Sequence, residues 1–325
     1  MRNETLIKEQ FRPEYFSGFV SKSMQQLEEF VNGVASTDET LLVTGESGTG
    51  KTELAKLIHS RSHRATGPFV AVSCINPADS FLEAELFGHV NGAFTGAVGN
   101  KGGKLELAHN GTLFLYEIGE LSSSAQKRLL RFLQEKVIKR VGGVEEINTD
   151  TRIIASTSYD LREAVANKRF LEDLYYRLNI LECYLVPLRY RKEDIPALVQ
   201  RLIKEVASNL RKTVPPAIPD KVMQKLFEYN WPGNIRELRN TLERIVILTS
   251  GSKVEEAALP PAFLSIKQID TTLNTQKEKI KTLAEMEKEH ITSVLASEEN
   301  FERAAEILGI TAVTLWRKRK QYGLN

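Results

Sequence analysis

The stretch Gly45–Thr52, "GESGTGKT", constrains what this chain can fold into more than any other part of it. It satisfies the pattern G-x-x-x-x-G-K-[ST], in which glycines let successive backbone N–H groups converge on phosphate oxygens. Lys51 reaches the β- and γ-phosphates and the Thr52 hydroxyl faces Mg²⁺, while Gly45, Glu46, Ser47, Gly48, Thr49 and Gly50 form the cradle. Such a loop needs a strand before it and a helix after it, because the helix N-terminus adds amides and a positive dipole end. The flanks meet that demand. "TLLVTG" reads as an apolar strand, and "ELAKLIH" as a helix with Leu54, Leu57 and Ile58 on one face.

The same alternation continues through the first part of the chain. Met24, Leu27, Val31 and Val34 fall at helical spacing, and "PFVAVSC", "GTLFLYE", "RIIAST" and "LECYLVP" read as further strands. Strands alternating with helices imply an α/β unit with a parallel sheet covered on both faces. From Arg191 the strand signals stop. The expected division is an N-terminal segment 1–15, an α/β subdomain 16–190, an all-helical subdomain 191–264, a polar linker 265–281 and a second all-helical unit 282–325.

In that last unit, Thr282 with Glu285 forms a capping box ahead of Leu283, Met286, Ile291, Val294 and Leu295. Asn300 is placed to cap a short helix with Phe301, Ala304, Ala305 and Leu308 apolar, and Gly309 stops it. Thr311 caps a third helix that ends at Gly323. From Thr311 to Asn325 there are four bases, Arg317, Lys318, Arg319 and Lys320, and no acid. Two short helices joined by a glycine turn, the second basic, match a DNA-binding helix-turn-helix; the alternative is a helical tail with a solvated charged face.

Composition excludes several classes. Hydrophobic content of 42%, charged content of 26% and a net charge of +2 are those of soluble globular protein. No apolar run approaches the roughly 18 residues of a membrane span, and "MRNETLIKEQ" lacks the apolar core of a signal peptide. Cys74 and Cys183 make no disulfide framework, and the five histidines show no metal-ligand spacing. The expectation is a cytoplasmic protein with no membrane partner.

Two further stretches carry chemistry. "GTLFLYEIGE" ends an apolar strand at Tyr116 and Glu117, where a nucleotide-hydrolysing protein needs an acid pair for its metal and its attacking water. In "ELFGHVNGAFTGA", Gly92 and Gly96 bracket Phe94 and Thr95. From the residues alone this is either a packed turn or a loop that pushes an aromatic toward a partner.

Taken in order, "GESGTGKT", "ELFGHVNGAFTGA", "GTLFLYEIGE", "EDLYYRLN" and "WPGNIRELRN" resemble the bacterial enhancer-binding proteins, AAA+ activators of RNA polymerase carrying sigma-54. "AAEILGITAVTLWRKRKQYGL" resembles that family's Fis-type helix-turn-helix, and the likeness runs from about residue 16 to 325. Many members begin with a receiver or ligand-sensing domain, which the residues before Phe16 are too few to build. The resemblance implies an AAA+ P-loop domain with a helical lid, ATP and Mg²⁺ as cofactors, and a homo-oligomeric ring, usually of six subunits. It implies sigma-54 RNA polymerase and enhancer DNA as partners, with dimeric binding at the DNA. Glu117 would polarise the attacking water, Arg177 would reach into a neighbour's site, and Arg236 would sense the γ-phosphate from the lid. Phe94 and Thr95 would contact sigma-54. Thr311, Ala312, Thr314, Trp316 and Arg317 would face the DNA groove. Taken singly, Arg177 and Arg236 read as surface ion-pair formers.

The departures from the family pattern cluster. Tyr116 stands where the family has Asp, and Ser73 where it usually has an Asn thought to hold the catalytic Glu. Ser158 stands for the sensor Asn, and Leu171 for the first of two arginine fingers, with Arg169 nearby. Thr52 departs the other way, supplying a P-loop hydroxyl where many members have Glu. A tyrosine with a pKa of about 10 offers no negative charge at neutral pH, so nucleotide binding is expected to survive and hydrolysis to suffer. Two readings follow: an ATP-driven sigma-54 activator, or a DNA-binding regulator that binds ATP for assembly with little or no hydrolysis. Nothing in the chain resembles the small-substrate site of a metabolic kinase.

Overall fold

The computed structural model describes residues 18–75, 79–212, 218–249, 254–264, 283–298 and 300–323. The N-terminal segment 1–15, the linker 265–281 and the Thr282 capping box lie outside the described residues. The chain divides into two compact units, 1–265 and 266–325.

In the first unit, five strands form one sheet: β1 Leu41–Thr44, β2 Phe69–Ser73, β3 Gly111–Tyr116, β4 Thr151–Thr157 and β5 Leu181–Tyr184. Their order is β2-β3-β4-β1-β5 and every pairing is parallel. Successive side chains of a strand point to opposite faces, and both faces are covered. Helices α1 (Lys22–Ala35) and α2 (Lys51–Ser60) bury Met24, Val31, Leu54 and Ile58 in one cluster with Phe114 and Ile154. On the other face, α3 (Ser123–Glu135) and α4 (Glu172–Leu178) bring Leu129, Phe132 and Leu174 into a cluster with Leu113, Leu115 and Ile153. All seven residues of β4 are buried, as a strand covered on both sides requires.

The order places the functional ends. Because β1 lies beside β4, and β3 one strand further, the loop leaving the carboxyl end of β1 opens next to the ends of β4 and β3. Ligands of open parallel sheets bind in that crevice.

The helical part packs α5 (Ile195–Asn209), α6 (Asp220–Glu228) and α7 (Asn234–Leu248) around Trp231, which is fully buried. Its indole N–H donates to the Leu226 carbonyl at 2.8 Å, so the ring is buried without an orphan donor. Asp194, also fully buried, accepts from the backbone N–H of Val20 and Ser21, both at 2.8 Å, and from the Ser21 hydroxyl at 2.6 Å. This carboxylate ties the start of α1 to the helical part.

Two small ribbons, Gly88–His89 with Lys101–Gly102 and Val137–Ile138 with Ile147–Asn148, were not expected. Strands of two residues are too short to leave a periodic signal. They frame the loop that carries Phe94.

The second unit is three helices, α8 (Leu283–Ser297), α9 (Phe301–Ile307) and α10 (Ala312–Gln321), around Ile291, Val294, Ala304, Ala305 and Leu315. Asn300 caps α9 by accepting from the N–H groups of Glu302 and Arg303, and Thr311 caps α10 by accepting from that of Thr314. Gly309 takes φ +66°, the left-handed conformation its turn requires. Met286, expected on the apolar face of α8, is exposed instead. The core draws on the second half of α8, and Met286 precedes it by more than a turn. Among the described residues no helix is long and apolar enough to cross a membrane.

Candidate functional site

The P-loop leaves β1 at Gly45 and ends at Gly50, which precedes α2 with φ +108°. Lys51 and Thr52 therefore stand in the first turn of α2, where N–H groups lack intrahelical partners. Lys51 is buried, and its Nζ donates to the Gly45 carbonyl at 2.6 Å and the Glu46 carbonyl at 3.2 Å. It also lies 3.4 Å from Glu117 Oε1. Burial pulls its ammonium below the usual lysine range, and Glu117 opposes that pull. The lysine expected to meet phosphate is thus internally satisfied, and a phosphate group would draw it off these carbonyls.

Glu117 follows β3 with φ +54°, a left-handed conformation that a non-glycine residue seldom adopts. That turn drops its carboxylate into the crevice, where it is buried. Oε2 accepts from the Ser158 backbone N–H at 2.7 Å and the Ser158 hydroxyl at 2.8 Å. Oε1 has no hydrogen bond, only the Lys51 charge. Ser73, the position from which the family likeness implied a hold on this carboxylate, is exposed and accepts from the Ile75 N–H at 3.3 Å. The hold on Glu117 comes from the end of β4 instead.

Tyr116 is half-buried and packs against the cluster containing Leu54 and Ala55 of α2. A phosphate fits the site well: the loop amides, the α2 N-terminus and Lys51 all face it. A magnesium ion finds a thinner donor set, the Thr52 hydroxyl with a phenol at the end of β3 and a carboxylate already engaged by Ser158.

The start of α7 closes over the loop. Arg236 Nη1 donates to the Ser47 hydroxyl at 2.8 Å. Asn234 Nδ2 donates to Glu46 Oε2 at 3.1 Å and to the Ser47 carbonyl at 3.0 Å, while its Oδ1 accepts from the Leu188 N–H at 2.8 Å. Arg189 grips the Glu46 carboxylate with two bonds, at 2.7 and 2.5 Å, and holds it below the usual carboxylate range. The approach is close enough that a Cβ on Gly48, at φ +81°, would overlap the Gly233 carbonyl. Sequence reading missed Asn234 and Arg189. The available signal was the Asn after Trp231-Pro232-Gly233, since Asn tolerates the left-handed region that it adopts here, at φ +53°. Beside the loop, a cleft of ≈ 380 Å³ is lined by Thr44, Ser158, Asp160 and Tyr184, among others.

Arg177 does not join this site in its own chain. It is exposed on α4, its Nη2 donates to the Leu133 carbonyl at 3.3 Å, and β5 begins four residues later. Leu181 pairs with Leu41, the first residue of β1, whereas the P-loop leaves the last. Arg177 therefore sits at the amino end of the sheet, beside a charged cavity of ≈ 340 Å³ that Asp38, Arg64, Lys136 and Asp150 also line. Leu171 packs on the main core and its N–H donates to Gln126 Oε1 at 2.8 Å, while Arg169 is exposed.

The loop around Phe94 and Thr95 combines features of the two alternatives that the sequence leaves open. Thr95 is exposed, but the Phe94 ring is half-buried, edge-on to His89 with centroids 5.3 Å apart. The second ribbon's turn supports it: the Val90 N–H donates to the Val141 carbonyl at 3.1 Å, and Gly142 packs on Ala93. In the second unit, Thr311, Trp316 and Arg317 are exposed on α10, and Ala312 and Thr314 are half-buried. Both cysteines are buried, which pushes each thiol up to about 12. Among the described residues no group of three His, Cys, Asp or Glu side chains is placed to hold a metal.

Residues 19–184 match the Sigma-54 interaction domain, 189–276 the AAA+ ATPase lid domain and 282–322 the Bacterial regulatory protein, Fis family. The chain is 43% identical over 299 residues to the transcriptional regulatory protein ZraR of Klebsiella oxytoca, covering 92% of this chain and 67% of that protein. It is 42% identical over 308 residues to the alginate biosynthesis transcriptional regulatory protein AlgB of Pseudomonas putida, covering 94% of this chain and 66% of that one. It thus spans about two thirds of the length of these relatives. Among solved structures, NtrX of Brucella abortus in complex with ATP superposes with a TM-score of 0.71 at 34% identity, covering 94% of this chain and 69% of NtrX.

Proposed function

The chain belongs to the family of sigma-54-dependent transcriptional activators, DNA-binding regulators of the AAA+ ATPase class, and from that membership we propose that it binds enhancer DNA and uses ATP to remodel the closed complex of sigma-54 RNA polymerase. The observation that carries this reading is the convergence of Lys51, Glu117 and Arg236 on one glycine loop. NtrX has been solved with ATP and with ADP, which supports an adenine nucleotide as the ligand here.

In this reading the amides of Gly45–Thr52 hold the phosphates, and Lys51 leaves the Gly45 carbonyl to meet them. The Thr52 hydroxyl is the side chain available to Mg²⁺, which when bound neutralises developing phosphate charge. Glu117, once free of Ser158, orients water, and Arg236 carries the phosphate's presence to the lid. Arg177 acts on the neighbour's nucleotide in a ring of six, the role of an arginine finger. Phe94 and Thr95 engage sigma-54. Thr311, Ala312, Thr314, Trp316 and Arg317 meet DNA in the cytoplasm as part of a dimer on paired half-sites.

A second reading rests on Tyr116. Its phenol, packed against the cluster that includes residues of α1 and α2, stands where the family likeness implies a carboxylate to order the metal's waters, which favours a regulator that binds ATP to assemble and turns it over slowly. Steady-state ATP turnover against protein concentration separates the two. A per-subunit rate that rises with assembly and vanishes in Glu117→Gln supports the first. Assembly on ATP without turnover supports the second, and Tyr116→Asp should then raise kcat by on the order of 10²-fold.

A further inference from the structure

Helix α10 exposes more apolar surface than its packing explains. Leu315, fully buried, pins the helix to Ile291, Val294, Ala304 and Ala305. Val313, Trp316, Arg317 and Lys320 follow at the spacing i, i+3, i+4 and i+7, which puts them on one face, and all four are exposed. Val313 is 77% exposed and Trp316 53%, so neither serves the core. Lys318 is drawn to Glu287, at 2.7 Å, which leaves Arg317 and Lys320 as the bases on that face. Lys320 Nζ stands 4.4 Å from the centre of the Trp316 ring, a cation–π contact that holds the ring and the charge together.

We propose that this face reads thymine: Val313 and Trp316 contact the 5-methyl groups of thymines on neighbouring base pairs, while Arg317 and Lys320 anchor the helix to the flanking guanine edge or phosphates. The inference rests on the DNA-binding reading above and narrows it to a class of sequence. A helix that only followed phosphates needs bases and gains nothing from exposed valine and tryptophan. Neither side chain can read a base edge with its apolar surface except at one feature: the thymine methyl is the apolar group the major groove presents. Val313 and Trp316 are three residues apart, about 4.5 Å along the helix axis. Stacked base pairs are about 3.4 Å apart, so two adjacent A·T pairs match the two side chains. Sequence reading named Trp316 but passed over Val313, because a valine beside a cap looks like an ordinary helix residue.

The test uses the full chain and a random-sequence duplex library at fixed salt, because affinity for DNA has no meaning without it. Selected duplexes should share thymine in each half-site. Replacing those thymines by deoxyuridine removes only the methyl groups, and each loss should weaken binding about fourfold. Val313→Ala and Trp316→Ala should each lose the discrimination at one of the two thymines and keep it at the other, and the double variant should bind the thymine and deoxyuridine duplexes equally. Arg317→Ala should bind both more weakly and still tell them apart. Both apolar side chains are exposed, and far-UV circular dichroism of each variant checks that the unit folds. Tight, sequence-selective binding that ignores the methyl groups would overturn the proposal and leave the DNA-binding reading intact. So would a preference for thymine that persists undiminished in the double variant. A chain that selects no duplex at any salt would overturn the DNA-binding reading itself.

Discussion

Replacing Ser158 with Ala tests whether Glu117 is restrained rather than ready. In the structure Oε2 of Glu117 takes two bonds from one residue, the backbone N–H and the hydroxyl of Ser158. The substitution removes the hydroxyl and keeps the N–H. A hydrogen bond to a charged group contributes about 1.5–3 kcal/mol, and the exposure of Ser158 puts this one at the low end. Losing about 1.5 kcal/mol of hold raises the population of freed carboxylate about tenfold. The Lys51 contact is no substitute restraint, since an incoming phosphate takes that ammonium. If release of Glu117 limits turnover, Ser158→Ala should raise kcat about tenfold with KM for ATP near its original value, because the phosphate cradle is untouched. Ser73→Ala, at a position that does not touch Glu117, should leave kcat within about twofold. The assay is steady-state phosphate release at a fixed, assembled protein concentration, with nucleotide affinity measured alongside. A fall in kcat on removing the hydroxyl would refute the reasoning, because Ser158 would then be holding Glu117 in its working position. Unchanged and negligible turnover in both proteins, with ATP still bound, would also refute it and move the block to Tyr116.

Three further outcomes follow from particular contacts. Arg177→Ala should leave nucleotide affinity of the isolated subunit unchanged, as it sits at the other end of the sheet. It should abolish any turnover that depends on assembly, and mixing it with Glu117→Gln protein separates the two roles. Phe94→Ala should lose capture of sigma-54 while thermal stability falls little, because the ring is half-buried, edge-on to His89, and outside the buried core; a large loss of stability would make it a core residue. Burial holds the His59 imidazole below its usual range, so the unfolded chain takes up that proton first as pH falls. Stability should therefore be fully present above about pH 6.5 and decline below it, toward the lower native pKa, and His59→Gln should flatten that decline in a series of melting curves.

What could be read from the letters was whatever repeats locally. The five apolar runs became the five strands because a run covered on both faces needs no partner to announce it. The P-loop was legible because glycine spacing, lysine and hydroxyl fall within one turn of chain. Residues that meet across the sheet left no such trace. Glu117 and Ser158 are 41 positions apart and touch only because β3 and β4 are neighbours whose ends align. Nothing in "VAVSC" or "ASTSYDL" says which serine will hold the carboxylate. The same holds for Asn234, which is 188 positions from the Glu46 it grips.

The departures at this site make more sense together than singly. An acid at position 116 would put a second negative charge next to Glu117, and a buried carboxylate pair needs a cation to be tolerable. With Tyr116 there, the charge that faces Glu117 is that of Lys51, at 3.4 Å. The family's long Asn side chains at 73 and 158 are both serines here, too short to reach far. Yet one of them stands near enough for its hydroxyl and its own N–H to bind a single oxygen. Both oxygens of Glu117 are thus approached by residues of the chain itself, Oε1 by Lys51 and Oε2 by Ser158. If phosphate draws Lys51 away first, Glu117 keeps its Ser158 bonds, and nucleotide binding is then expected to be separable from hydrolysis. That separation would suit the ATP-gated assembly proposed above, with any turnover waiting on a neighbour's Arg177.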